Sequence, residues 1–274
     1  MAVVMIGGNP YCKGKEVAES VSRNLSYVCI GDEVFSAASD MFGIPEPDIV
    51  SALEDSPRFL GMSFTARIKL ISCYHSALAS LLYKDNVVYY GRYGHLLIQG
   101  VSHVLKVYLK SDINVRAELK AKTDTMGVNE AIKRIIKEDK GHSKLNSFFH
   151  NTNGNVQNLC DLVIDTGETA EEDATKIISE QALLMRYRAT NYSLHCMKNI
   201  ELSFKVRAAL IAINRDVSVR ASSGKVFVHI RAAESKRQKL VASISDMVKR
   251  IRDVARVEVI VTEDIFQKYA ETYR

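Results

Sequence analysis

"VVMIGGNPYCKGKEVAESV", residues 3–21, decides how the chain is read. An apolar run meets Gly7-Gly8, a turn follows at Pro10, and Gly14-Lys15 opens a stretch with Val17, Val21 and Leu25 at helical spacing. That order predicts a buried strand, a phosphate-cradling loop and an amphipathic helix. A phosphate site needs backbone N–H groups converging on the anion, a helix N-terminus behind them and a cation. Gly7, Gly8 and Gly14 supply backbone freedom, and Lys15 stands at the helix start. The spacing departs from the standard loop, which leaves four residues before Gly-Lys and then places Ser or Thr for magnesium. Here residues 9–13 make five, and Glu16 takes the hydroxyl's position.

Outward from that stretch, strand-like and helix-like runs alternate up to residue 196. "SYVCIGD", "NVVYYGR", "HVLKVYLKS" and "CDLVIDTG" read as further strands. "MSFTARIKLISCYHSALASLLYK", "INVRAELKAKT", "GVNEAIKRIIKEDKGHSKLNSFF" and "TAEEDATKIISEQALLMRYR" read as helices, the last with Thr169 as its N-cap. The proline-bearing "GIPEPDIVSALEDSPRF" reads as an irregular or short-helical insertion. Apolar strands alternating with helices predict an α/β three-layer sandwich around a mainly parallel sheet. Near residues 188–198 the pattern resets. A helix, a hairpin joined at Ser223-Gly224, a second helix and a last strand, "ARVEVIVTE", predict a small α+β module of αββαβ order. The expected domains are therefore 1–188 and 198–264.

Composition bounds the class. The chain has 274 residues, 47% of them hydrophobic and 25% charged, enough to bury a core in one large or two ordinary domains. No apolar run reaches the roughly 18–20 residues that span a bilayer, and the N-terminus has no secretory pattern. The five cysteines form no C-x-x-C pair, which points to reduced thiols and a cytoplasmic address and not to a zinc site. Of the net charge of +5, residues 197–274 carry +7 (16 Lys/Arg, 9 Asp/Glu) and residues 1–196 carry −2 (21 and 23). The asymmetry supports two modules and leaves the second suited to an anionic partner.

A second stretch supplies a family. "VVYYGRYGHLLIQGVSHVLKVYLKSDINVRAELKAK", residues 87–122, resembles the central segment of bacterial cytidylate kinases: a strand ending in Gly-Arg, an insert, another strand, then a "VRAE" helix. "CDLVIDTGETAEEDATKII" is similar to the family's closing strand and helix. "YVCIGDEVFSAASDMFGI" and "KGKEVAESVSRNL" resemble the divergent cytidylate-kinase-like branch, with Lys15 in place of that branch's arginine. The resemblance runs collinearly over about residues 1–185.

It implies a P-loop kinase fold that moves the ATP γ-phosphoryl group to a nucleoside monophosphate, CMP among the candidates, with magnesium. Lys15 would touch the donor phosphates, and the loop residues Gly8, Asn9, Cys12, Lys13, Gly14 and Glu16 would form the cofactor site. Arg92 would hold the acceptor phosphate bidentately. Asp32, Arg67 and Tyr93 complete the candidate acceptor site. Tyr93 replaces the family's cytosine-reading aspartate, which leaves the acceptor open. The lid segment "RIIKEDKGHSKL" offers Arg134, Lys137, Asp139 and Lys140, with His142 where a lid arginine is expected; Lys140 is the candidate lid cation. Arg116 has two readings, a cation at the lid's base or a helix-surface ion pair. Cys12 beside a helix start could be an activated thiol or a small packed residue. These departures leave a catalytically weak nucleotide sensor as the alternative to an active kinase. A kinase for a different small acceptor is a third.

Residues 198–264 resemble a BON domain, a module linked to phospholipid or protein partners, which implies a protein or anionic membrane-surface partner or assembly into a homo-oligomer. No aromatic-basic interleaving marks the module as an RNA-recognition surface, and no strong nucleic-acid signal is expected. The histidines show no ligand spacing, and no metal cluster is expected.

Overall fold

The computed structural model describes residues 2–53, 63–91, 94, 98–150, 156–214 and 216–263; of 142, 144–150, 156 and 263 it describes the backbone alone. The chain divides into two compact units, Met1–Val34 with Lys84–Ser193, and Phe35–Tyr83 with Leu194–Arg274.

The first unit is built on five parallel strands: β1 (Val3–Gly8), β2 (Val28–Ile30), β3 (Val87–Tyr90), β4 (Val104–Lys110) and β5 (Leu162–Asp165). Their order is β2-β3-β1-β4-β5. β1 lies at the centre, pairing Val3 with Val87 on one side and with Val104 on the other. A strand covered on both faces has no polar side, and so Val3, Val4, Met5 and Ile6 are all fully buried. Helices α1 (Gly14–Leu25) and α7 (Glu171–Ala182) bring Val17, Val21, Ala174 and Ile178 into one core with Val4, Ile6, Leu105, Val107 and Ile164. At one methylene's burial per ~0.8 kcal/mol, this core is the unit's main stabilising term. The connections leave β1 toward β2 and β4 toward β5 in opposite directions, which opens a crevice beyond the strands' carboxyl ends, where such sheets take ligands. Helices α5 (Ile113–Thr123) and α6 (Val128–His150) stand beside that crevice.

α7 departs from the expected start. Its N-cap is Ala170, whose side chain cannot accept a hydrogen bond; Thr169 instead uses its N–H on the Asp165 carbonyl, 2.9 Å away, closing the turn after β5.

The second unit holds α2 (Glu33–Phe42) and α8 (Asn191–Leu210) in large part, α3 (Glu46–Leu53), α4 (Phe64–Leu82), α9 (Arg237–Lys249) and the sheet β6 (Ser218–Ser222), β7 (Lys225–Ala232), β8 (Arg256–Glu263). β7 is central, antiparallel to β6 and parallel to β8. The expected αββαβ order is present from α8 onward, joined at the hairpin by Ser223 and Gly224, both with positive φ. α8 begins at Asn191, so the reset near 188–198 falls inside a helix. Ile68 of α4 shares a core with Leu202, Val206, Val226, Val228, Ile230 and Ile244. Within the proline-bearing stretch, residues 46–53 form α3 and residues 54–62 lie outside the described ones.

At the amino end of the sheet, His103 is 1% exposed and its Nδ1 meets no hydrogen-bond partner among the described residues. Burial pushes its pKa below 6.5, while Asp85 pulls the other way and the chain's amino terminus adds to the lowering. At about pH 7.5 and above the ring is almost wholly neutral in both the folded and the unfolded chain and adds little pH dependence. Below that, the unfolded chain takes the proton first, so stability falls with pH until the folded pKa is passed. The expected slope is up to about 1.4 kcal/mol per pH unit in that window. His103→Gln should flatten it, as measured by urea unfolding at pH 7.5, 6.5 and 5.5. Equal slopes in both chains would refute the assignment.

Candidate functional site

The loop between β1 and α1 is shaped by two close approaches. Asn9 N–H donates to the Leu109 carbonyl at 2.9 Å, continuing the β1–β4 pairing, and a Cβ on Gly8 would lie 2.0 Å from that same oxygen. A Cβ on Gly14 would lie 2.3 Å from the ring of Tyr90 at the end of β3. Only glycine fits at either position. Between them Tyr11 (φ 61°) and Lys13 (φ 51°) adopt the left-handed conformation and curl the backbone around Cys12. Lys13 is the N-cap of α1 and makes no side-chain cap hydrogen bond, and among the described residues no side chain accepts from the first-turn N–H groups. Those donors, at the positive end of a helix and beside exposed Lys13 and Lys15, are chemically an anion site. Neither lysine has a hydrogen bond or ion pair among the described residues. Glu16, also exposed in this first turn, is the departure noted above.

Cys12 is 3% exposed and packs in the core. Burial pushes its thiol up to about 11, against the lowering pull of Arg116. Desolvation therefore outweighs the helix start, and the thiol is a packed residue and not an activated nucleophile.

The loop's floor is held by α5. Arg116, with 5% of its side chain exposed, donates Nε to the Pro10 carbonyl at 2.9 Å. Its two terminal nitrogens donate to the two Asp139 oxygens at 3.0 and 2.9 Å, the fork geometry that only arginine offers. One turn later, Lys120 donates to the Tyr11 hydroxyl and lies 4.3 Å over its ring. Lys120 also pairs with Glu138 and Asp124, each at 3.1 Å. Burial alone would lower the Lys120 pKa, but the hydrogen bonds to Tyr11, Glu138 and Asp124 hold it above the ordinary lysine value. Two cations from α5 thus tie Pro10 and Tyr11 of the loop to Glu138 and Asp139 of α6. Of the two sequence readings of Arg116, the helix-surface ion pair is corrected, because the guanidinium is buried; it stands beside the lid segment, with its charge taken up by Asp139. The available signal was the i, i+4 spacing of Arg116 and Lys120 facing adjacent acids 18–23 residues later.

The other candidates fall as follows. Asp32 is exposed in the turn between β2 and α2, where Gly31 N–H donates to Glu33 at 2.6 Å. Lys140 is exposed on α6, one residue beyond the Asp139 tie, and Lys137 is exposed as well. Arg67 belongs to the second unit; its Nε donates to the Ala52 carbonyl at 2.8 Å, which ties α4 to the end of α3. Arg92 and Tyr93, and the side chain of His142, lie outside the described residues. At the end of β5, Asp165 accepts from Gly167 N–H at 3.0 Å and meets Lys110 at 3.5 Å. Among the described residues no group of three or more His, Cys, Asp or Glu could hold a metal by itself. None of their helices is long and apolar enough to cross a membrane.

Comparison with known proteins follows the same outline. A cytidylate kinase of Sulfurisphaera tokodaii is 25% identical over 178 residues, 64% of this chain and 92% of that protein. A cytidylate kinase of Methanopyrus kandleri is 25% identical over 186 residues, 64% of this chain and 90% of its own length. Among solved structures, an uncharacterized protein from Eubacterium ventriosum aligns with a TM-score of 0.50 at 14% identity, over 66% of this chain and 97% of that one, a likeness of fold. The model of the cytidylate kinase-like family matches residues 3–168, which span β1, the loop, the α5–α6 ties and β5, and on that match the chain belongs to the cytidylate kinase-like family.

Proposed function

We propose that the protein transfers the γ-phosphoryl group of ATP to a nucleoside monophosphate, with CMP the first candidate acceptor. The observation that carries this reading is the uncapped start of α1 behind the Gly8–Gly14 loop, in a chain of this family. Phosphoryl transfer asks the protein mainly for positioning and for cations aimed at charge spread over the phosphoryl oxygens. Backbone N–H groups of residues 11–16 would hold the donor phosphates and Lys15 would neutralise them. Arg92 would hold the acceptor phosphate, Asp32 and Tyr93 would contact the acceptor nucleoside, and Lys140 would approach from α6. Magnesium is usually carried by one or two carboxylates plus the nucleotide's own phosphates, a demand that Glu16 or Asp32 with ATP fits and that needs no protein-only cluster. The reading assigns this chemistry to residues 1–188. Residues 198–264 form a separate BON-like module in it, and a cytoplasmic address suits the reduced thiols.

A second reading has its own observation. Arg116 and Lys120, the cations beneath the loop, are already engaged by carboxylates, and Glu16 stands where a hydroxyl would hold magnesium. A protein so built would bind nucleotide and turn it over slowly, as a sensor. Titration calorimetry of ATP with and without magnesium tests the site shared by both readings. Micromolar binding that weakens at least ~10-fold in Lys15→Ala is the expected result. No heat at millimolar ATP would remove both. Turnover of CMP, UMP and their deoxy forms then separates kinase from sensor.

A further inference from the structure

The outward face of the C-terminal sheet gathers cations around an aromatic ring. On central strand β7, Val226, Val228 and Ile230 point into the core, and the alternate positions are Lys225, Phe227, His229 and Arg231. Every outward residue of the strand is thus cationic or aromatic, Phe227 and Lys225 half-buried, His229 and Arg231 exposed. Register places Arg220 of β6 and Glu258 of β8 on either side of Phe227, and Arg256 beside Lys225. Lys225 lies 4.4 Å over the Phe227 ring and 3.1 Å from Glu258. Arg220, Arg231 and Arg256 are exposed and have no ion pair among the described residues. Among the described residues of this face, four cations stand with one carboxylate. The interleaving runs at alternate residues and across strands, so contiguous sequence does not display it.

We propose that this face binds single-stranded RNA. Outward residues two apart along a strand are about 6.6 Å apart, a spacing commensurate with an extended single strand, and neighbouring strands add a second row about 4.8 Å away. A base stacks on Phe227, Lys225 swings from the ring to a phosphate, and Arg220, Arg231 and Arg256 take the flanking phosphates. Ser218, Ser222 and Thr262, outward at the rim, offer hydroxyls to the 2′-OH groups that distinguish RNA. A bilayer fits the face less well, because insertion needs protruding apolar groups and Phe227 is recessed, leaving Ile260 at 37% exposure.

The test is fluorescence anisotropy of labelled U12 RNA with the full chain, alongside dT12, a 12-base-pair RNA duplex and anionic vesicles of phosphatidylserine and phosphatidylcholine. U12 should bind, and about four phosphate contacts should weaken it about 50-fold between 50 and 200 mM salt. Arg231→Glu should cost at least tenfold, and Phe227→Leu about five- to tenfold through lost stacking. Arg250→Glu, at the C-cap of α9, changes total charge equally and should leave affinity within twofold. The proposal is overturned by no binding of U12 at 100 μM protein and 50 mM salt, or by Arg231→Glu binding like wild type. Tighter binding of dT12, of the duplex or of vesicles alone would overturn it too.

Discussion

Asp139→Ala is expected to cost the folded chain about 3 kcal/mol, and to cost more than Arg116→Ala at the other end of the same pair. The asymmetry follows from burial. Arg116 keeps 5% of its side chain exposed and Asp139 34%, so losing the carboxylate strands a desolvated guanidinium, whereas losing the guanidinium leaves a carboxylate that water can reach. Arg116→Ala still frees the Pro10 carbonyl, worth about 1 kcal/mol. For a chain of this size 3 kcal/mol corresponds to a drop on the order of 8 °C in the unfolding midpoint. Arg116→Lys should recover little of it, since an ammonium cannot serve both Asp139 oxygens and Pro10 together. Calorimetric unfolding of the three variants checks the order. A midpoint for Asp139→Ala at or above that of Arg116→Ala would mean that the pair does not hold the loop to α6.

That pair also marks where sequence runs out. The opening strand, the loop and α1 were legible because apolar continuity, Gly8, Gly14 and the Val17–Val21–Leu25 spacing each act locally. The αββαβ order was legible for the same reason, in alternation along β7 and a turn at Ser223-Gly224. Strand order was not, since nothing local to β1 says that β3 and β4 flank it. The Arg116–Asp139 fork joins residues 23 apart, and burial decides its meaning; as a string, "NVRAELK" fits an exposed helix face equally well. Cys12 left two readings open, an activated thiol or a packed residue, and the surrounding core decides for packing. The α7 cap falls one residue later than Thr169, at Ala170, because Thr169 closes the turn after β5 onto the Asp165 carbonyl and the extended residue that opens the helix is the next one.

The two glycines of the loop should respond differently to the same added methyl group, and that difference tests the loop's geometry independently of any ligand. At Gly14 the obstacle is the side chain of Tyr90, with Cε2 at 2.3 Å and the hydroxyl at 3.1 Å, so Gly14→Ala should be strongly destabilising alone. Overpacking of this kind costs roughly 1–3 kcal/mol, and Tyr90→Leu clears the ring from the path. The double variant Gly14→Ala/Tyr90→Leu should therefore be more stable than the sum of the single changes by on the order of 1 kcal/mol or more, a coupling measurable by a double-mutant cycle. At Gly8 the obstacle is the Leu109 carbonyl 2.0 Å away, in the backbone of β4, and φ is +150°. No side-chain change can move that oxygen without breaking the β1–β4 ladder, where Asn9 already donates to it. Gly8→Ala should accordingly exceed Gly14→Ala in cost and stay uncoupled from Tyr90→Leu. Coupling at Gly8, or none at Gly14, would mean that β1 enters the loop by a different path from the one that sets its N–H groups at the mouth of α1.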